Sequence, residues 1–301
     1  MQGCAMVVLI LSVAAMLMPL PARAGEPAQA AARRAAHAGQ QTGSSPPPVD
    51  LLWRTEESDR LFSLVGLNLG LDRAGEPTFE GRGRLFVRFG GRSAFQIEGT
   101  YDRYQDHRDG QLDFGLANRV KRVQIGLSSS IRYVALDAYD HGVSVSQFGA
   151  ALDYVFRTAR VGVFGAAGLQ DTEGLGLPRS AGDVSVEGSL RLIDQFGVSA
   201  QVDVLNRAQL AGHLSFLDPV CQGRTTAGAI RLVYPMTDDW ALTAEGAWNP
   251  SLVGRSTQAR FIVGAQMGRW PLPRTPLSDD RAVPASMSPI RYQVSRAAAQ
   301  C

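Results

Sequence analysis

The sequence predicts an all-β chain, closed into an antiparallel up-and-down transmembrane β-barrel of about twelve strands. Three observations carry that prediction. Segments of alternating apolar and polar residues follow one another almost without interruption from Leu61 to Trp270, the connections between them are short and long in turn, and charged residues keep to one parity. The last point is energetic, because an Arg or Lys facing lipid at the bilayer midplane costs about 2 to 4 kcal/mol.

The pattern is clearest in residues 84–102, RLFVRFGGRSAFQIEGTYD. One parity holds Leu85, Val87, Phe89, Phe95, Ile97, Gly99 and Tyr101; the other holds Arg84, Phe86, Arg88, Gln96, Glu98, Thr100 and Asp102. That is the period of a strand, and Gly90-Gly91 supplies the positive φ that a tight hairpin turn needs.

The first expected strand, LFSLVGLNLGL, turns Val65, Leu67, Leu69 and Leu71 to one face. The second and third are the hairpin above, followed by the loop YQDHRDG. The fourth turns Leu112, Phe114 and Leu116 outward, and the fifth Val123, Ile125, Leu127, Ile131 and Tyr133. After ALDAYDHG the sixth presents Phe148, Leu152 and Tyr154, and the seventh Val161, Val163 and Leu169.

Beyond the long loop DTEGLGLPRSAG, the eighth carries Val184, Val186, Leu190 and Leu192. It is expected to turn at Asp194-Gln195 into a ninth, one long strand from Phe196 through Val198, Val202 and Val204 to Leu210, Leu214 and Phe216, with Asn206-Arg207 as its candidate break. The tenth presents Ile230, Leu232 and Tyr234, the eleventh Trp240, Leu242 and Trp248, and the twelfth Phe261, Val263 and Met267. GG, NR, RTA, DQ and PMTDD are the short turns after the even strands. Short turns on one side and longer loops on the other put both termini in the periplasm. Phe89, Phe95, Tyr154, Phe156, Phe196, Tyr234 and Trp240 fall beside short turns, and Tyr101, Tyr104, Tyr133 and Trp248 beside long loops, as two interfacial girdles require.

Composition agrees. The chain has 301 residues, a net charge of +2 and 32 glycines, so no nucleic-acid partner is expected. Mean hydropathy of −0.06 is what alternation averages to. Residues 1–24 read as a signal peptide, with an apolar run from Met6 to Leu20 and small residues at Ala22 and Ala24. Residues 25–58 read as a flexible periplasmic leader, 59–270 as the barrel and 271–301 as a Pro-rich periplasmic tail. Past the signal, no apolar run reaches the roughly 18 residues of a membrane helix. Cys4 leaves with the signal, and Cys221 and Cys301 read as free or intermolecular thiols on opposite sides of the membrane.

Leu61 to Trp270 resembles the broad outer-membrane β-barrel class of Gram-negative bacteria, in architecture and without a family-specific motif. The resemblance implies outer-membrane lipid and the barrel-assembly machinery as partners, the latter reading a final strand that ends in an aromatic, here Trp270. Residues 271–301 depart from that pattern, since such chains usually end at the aromatic.

The inward parity collects Arg84, Arg88, Arg122, Arg132, Arg191, Arg231 and Arg260 with Glu98, Asp102, Asp113, Asp153, Glu187, Asp203 and Glu245. These residues are the expected lumen lining, either an ion-pair network filling a narrow lumen or facing walls of opposite charge that orient solutes in a pore. The leading functional expectation is a porin-like passive channel for small polar solutes. The alternatives are a closed structural or adhesive surface barrel and an outer-rim hydrolase. The hydrolase would use the loop pairs Asp106-His107, with Asp109, and Asp140-His141, since a carboxylate can orient an imidazole base, as at the rim of omptin-like barrel proteases. The bland reading of those pairs is solvated loop residues. No phosphate loop, CxxC pair or acidic calcium repeat is present, so no cofactor is expected.

Overall fold

The computed structural model describes residues 60–89, 91–104, 107–137, 141–169, 173–176, 188–204, 208–217, 224–249, 259–269, 281–285, 287 and 289–296. The expected signal peptide and leader, the three cysteines, Asp106, Asp140 and Glu187 lie outside them.

Fifteen strands are described. In chain order they are β1 (Leu61–Asp72), β2 (Pro77–Phe89), β3 (Ser93–Tyr104), β4 (His107–Val120), β5 (Val123–Leu136), β6 (Val143–Val155), β7 (Ala159–Gly168), β8 (Glu173–Gly176), β9 (Gly188–Leu192), β10 (Gln195–Val204), β11 (Ala208–Leu217), β12 (Thr225–Pro235), β13 (Trp240–Trp248), β14 (Ala259–Arg269) and β15 (Tyr292–Arg296). Strands β1 to β7 and β10 to β14 form a closed barrel of twelve, β7 pairing directly with β10. The ladder between β1 and β14 closes it, from Ser63 opposite Arg269 to Asp72 opposite Arg260. The remaining three make a small sheet in the order β15-β9-β8.

The predicted parity holds around the wall. Leu67, Leu69, Ile125, Leu127, Leu152, Val163, Leu232 and Phe261 are all exposed, while Asn68, Glu80, Gln96, Asp113, Gln124 and Thr243 on the other parity are buried. A continuous apolar outer face over a polar interior inverts a soluble protein and places the hydrophobic residues against lipid. Strands of this length, tilted by about 40°, rise about 25 to 30 Å, the thickness of a bilayer core. Replacing the exposed Leu67 by Arg should therefore lower stability by about 2 to 4 kcal/mol in urea unfolding from lipid vesicles. The same change on a water-facing surface would stay within about 0.5 kcal/mol.

Twelve strands is the expected number, but two of the expected assignments change. Residues 195–217 are two strands joined through 205–207, with Val204 opposite Ala208, so the break at Asn206-Arg207 is real. The expected eighth strand is not in the wall. Its described part is β9, whose Leu190 and Leu192 pack on Val134, Leu136, Val143, Val145, Ile290 and Tyr292. Those apolar residues found a protein partner in place of lipid.

With β9 removed from the wall, Asp194-Gln195 moves to the opposite end from the one expected. One end, here the turn end, carries 90–92, 121–122, 156–158, 205–207 and 236–239. The loop end carries the longer connections 137–142, 169–194, 218–224 and 249–258 with two short ones, 73–76 and 105–106. Phe196, exposed, therefore belongs beside Phe216 in the aromatic girdle of the loop end. The expected loop YQDHRDG also shrinks, because β4 begins at His107.

Candidate functional site in the lumen

Inward positions of β2, β3, β12, β13 and β14 bring four arginines and four carboxylates together. Glu80 and Glu245 sit at the centre. Arg260 reaches Glu80 at 3.0 Å, Asp102 at 3.0 Å and Glu245 at 3.3 Å. Arg231 lies 3.4 Å from Glu245 and 3.7 Å from Glu80. Arg82 spans Glu98 at 3.4 Å, Glu80 at 3.5 Å and Glu245 at 3.8 Å, and Arg84 pairs with Glu98 at 2.5 Å. Neutral groups complete the shell: the Asn68 amide donates to Glu80 at 3.0 Å, and the Thr243 hydroxyl donates to Asn68 at 2.6 Å. Charges removed from water need such paired and hydrogen-bonded surroundings.

The opposite wall is covered by the chain itself. Residues 271–301 were expected as a periplasmic tail, but those described here lie within the barrel. At the turn end Ala282 donates its N–H to the Gly91 carbonyl at 3.3 Å. Ala282 and Ala285 pack with Phe86, Ala94 and Ala117, all inward-facing residues. At the loop end the Tyr292 hydroxyl donates to Asp109 at 3.0 Å, and Arg291 donates to the Asn249 carbonyl at 3.2 Å. The segment then pairs as β15 with β9, Tyr292 opposite Leu192. It thus runs the length of the lumen. Twelve strands enclose more room than side chains alone fill in an eight-stranded barrel and less than an open porin, which is space for one extended segment.

A cavity of about 410 Å³ remains between the tail and the ion-pair wall, lined among others by Arg82, Glu98, Asp102, Arg231, Glu245 and Pro284.

Of the expected lumen residues, Glu187 lies outside the described residues and the others take the following places. Arg84, Glu98, Asp102, Arg231, Glu245 and Arg260 form the network just described. Arg88 faces inward, donating to the Ala282 carbonyl at 3.0 Å with its guanidinium 5.0 Å from the Phe62 ring centre. Arg132 pairs with Asp109 at 2.5 Å, donates to the Ile290 carbonyl at 2.8 Å and lies 5.1 Å over the Tyr292 ring. Asp113 is buried and accepts from Gln111 at 2.7 Å, and Asp153 is buried with Arg160 at 4.0 Å. Asp203, on the inward parity of β10, is part-buried.

Two of the expected lining residues belong elsewhere. Arg122 sits in the exposed turn between β4 and β5 and donates to the Tyr154 hydroxyl at 3.2 Å; it is too close to the strand end to enter the lumen. Arg191 is exposed on β9, outside the wall, because its neighbours Leu190 and Leu192 turn to the buried side. Of the two loop Asp/His pairs only the histidines are described, and they differ in setting. His107 is buried on the inward face of β4 with Asp109, which Arg132 and Tyr292 occupy, whereas His141 is exposed. Among the described residues no group of His, Cys, Asp and Glu could hold a metal ion.

Sequence reasoning missed Glu80, Arg82, Arg119, Arg160 and the tail. Glu80 and Arg82 share the parity of Arg84, but Gly81 and Gly83 interrupt the apolar alternation that would have extended the strand back to them. Arg160 lies on the inward parity set by Val161 and Val163, one position past the turn. The tail alternates only at its end, Ile290, Tyr292 and Val294 against Arg291, Gln293 and Ser295, where it forms β15, and its Pro-rich part before that has no alternation to read.

Fold and surface together define a closed transmembrane β-barrel. No protein-family model matches the chain, and no curated protein matches it. Among solved structures it is similar to the KdgM porin, at 10% identity over 68% of this chain and 98% of that one, with a TM-score of 0.43. The NanC porin aligns at 10% identity over 67% and 98%, with a TM-score of 0.46. The outer membrane phospholipase OMPLA of Salmonella typhi aligns at 11% over 70% and 91%, with a TM-score of 0.45. None of these three scores reaches 0.5, and the fold stands on its own strand ladder.

Proposed function

We propose that the protein is a porin-like barrel of the bacterial outer membrane that passes small polar solutes along the charged side of its lumen. The turn end and both ends of the barrel domain face the periplasm in this reading, since short turns mark that side in such barrels. The observation that carries it is the 410 Å³ cavity, bounded by paired arginines and carboxylates within an apolar outer wall. In planar bilayers the purified protein should give discrete but small conductance steps, because the tail occupies part of the lumen. A silent membrane containing folded, heat-modifiable protein would reject the reading.

The four arginines and four carboxylates balance, so the wild-type pore should be weakly selective and show a reversal potential near zero in a salt gradient. Glu245→Gln leaves an excess of arginine on the ion-pair wall and should move that potential toward the anion side. An unmoved potential places the current outside this wall.

The tail favours a second reading, a structural or adhesive surface barrel that stays closed. It expects no conductance from the full-length protein, and loss of binding without unfolding when the long loops are deleted.

A further inference from the structure

The tail is held chiefly by its main chain. Gln124 accepts from the Val283 N–H at 2.9 Å and donates to the Val283 carbonyl at 3.0 Å, the two-point pattern of one strand reading another. Arg160 donates to the Pro284 carbonyl, and Gln195 donates to that of Pro289 at 2.7 Å. Gln111 accepts from the Ile290 N–H at 3.2 Å, while Arg132 donates to the Ile290 carbonyl. The described residues from Arg281 to Arg291 belong to no strand, so a β-ladder does not commit them to the barrel.

The wall is also shaped for them. A β-carbon added at Gly126 would lie 3.2 Å from the Cβ of Ala285, with Ala151 beside it. Side chains of the wall thus present donors and acceptors at the spacing of an extended backbone, above a floor of small residues.

We propose that the lumenal face of β4 to β7 and β10 is a binding site for an extended polypeptide main chain, and that the described residues from Arg281 to Arg291 are its detachable resident. The site reads donors and acceptors common to all peptides and limits side chains by size beside Gly126, so it takes small residues and proline there, as in Ala282 to Ala285. It rests on the porin-like reading only for its consequence, that release of the tail widens the passage.

The test uses the full-length chain carrying Ala282→Arg and Ala285→Arg, whose tail no longer fits. Folding is checked by heat-modifiable migration. This variant should bind a fluorescent synthetic peptide of residues 281–291 saturably. The wild type should not bind it at the same concentration, because its own tail is tethered at a high effective concentration. Adding Gln124→Ala, which removes two hydrogen bonds, should weaken binding about tenfold. A peptide that ignores the folded variant, or is indifferent to Gln124, overturns the site.

If the arginine variant does not fold, Gly126→Cys with Ala285→Cys supplies a reversible lock, the two β-carbons being close enough for a disulfide. Oxidation should slow amide exchange in the tail at least tenfold relative to the reduced protein, with wall strands unchanged. Equal exchange in both states makes the tail a fixed part of the core and overturns its detachability. Peptide binding by a variant that stays silent in bilayers would support this site and reject the channel.

Discussion

Glu80→Gln should lower the stability of the barrel by about 3 kcal/mol, within the range for breaking a buried ion pair by removing one partner. The substitution keeps size and shape and removes only charge. Glu80 is 1% exposed and accepts from Arg260 and Asn68, with Arg82 and Arg231 also within ion-pair distance. Without it, three guanidiniums converge on a space from which one of four carboxylates is gone, and they are left to share Glu245. Urea unfolding from lipid vesicles measures the loss.

The companion experiment separates pairing from charge. Replacing Glu80 and Arg231 together by apolar residues of similar volume should recover most of the loss, because the cost lies in the unpaired charge rather than in the absence of the bridge. Additive losses in the double variant would mean that each side chain acts through packing alone.

The wall was legible in the sequence because a barrel strand solves the same problem at every position: lipid on one side, polar lumen on the other. That constraint writes itself into the wall strands between Leu61 and Met267, and inward charges such as Arg84, Glu98 and Arg260 followed from it. What alternation cannot report is the identity of the dry side. Leu190 and Leu192 alternate as lipid-facing residues would, yet their partner is Tyr292.

Alternation is blind to some turns as well. Val204 pairs with Ala208 and Val202 with Leu210, both even, so the outward parity runs unbroken through 205–207. Counting β9 as a wall strand and merging β10 with β11 are opposite errors, which is why the expected number survived. The tail was unreadable for a different reason. Its contacts before β15 are main-chain groups held by Gln124, Arg132 and Arg160 from distant strands, and no local pattern in residues 281–289 encodes them.

Leu190→Ala tests the reassigned strand directly. On a lipid-facing strand, trimming Leu to Ala would leave acyl chains to fill the space, and the loss would be spread over the whole barrel. Leu190 is instead 0% exposed within a cluster of fixed side chains, where the deletion leaves a cavity and costs about 2 to 5 kcal/mol. The loss should also be local, because among the described residues β9 pairs with β8 and β15 and makes no hydrogen-bonded ladder with the barrel wall. Amide exchange at Ile193, which donates to the Arg291 carbonyl, and along β15 should accelerate by roughly thirty-fold to a few thousand-fold. Ile125 and Leu127 in the wall should exchange as before. Acceleration shared equally by wall and cap would return residues 188–192 to the barrel. Acceleration confined to β9, β15 and the tail establishes that the loop end is closed by a separate unit, one able to open while the membrane-spanning ladder stays intact.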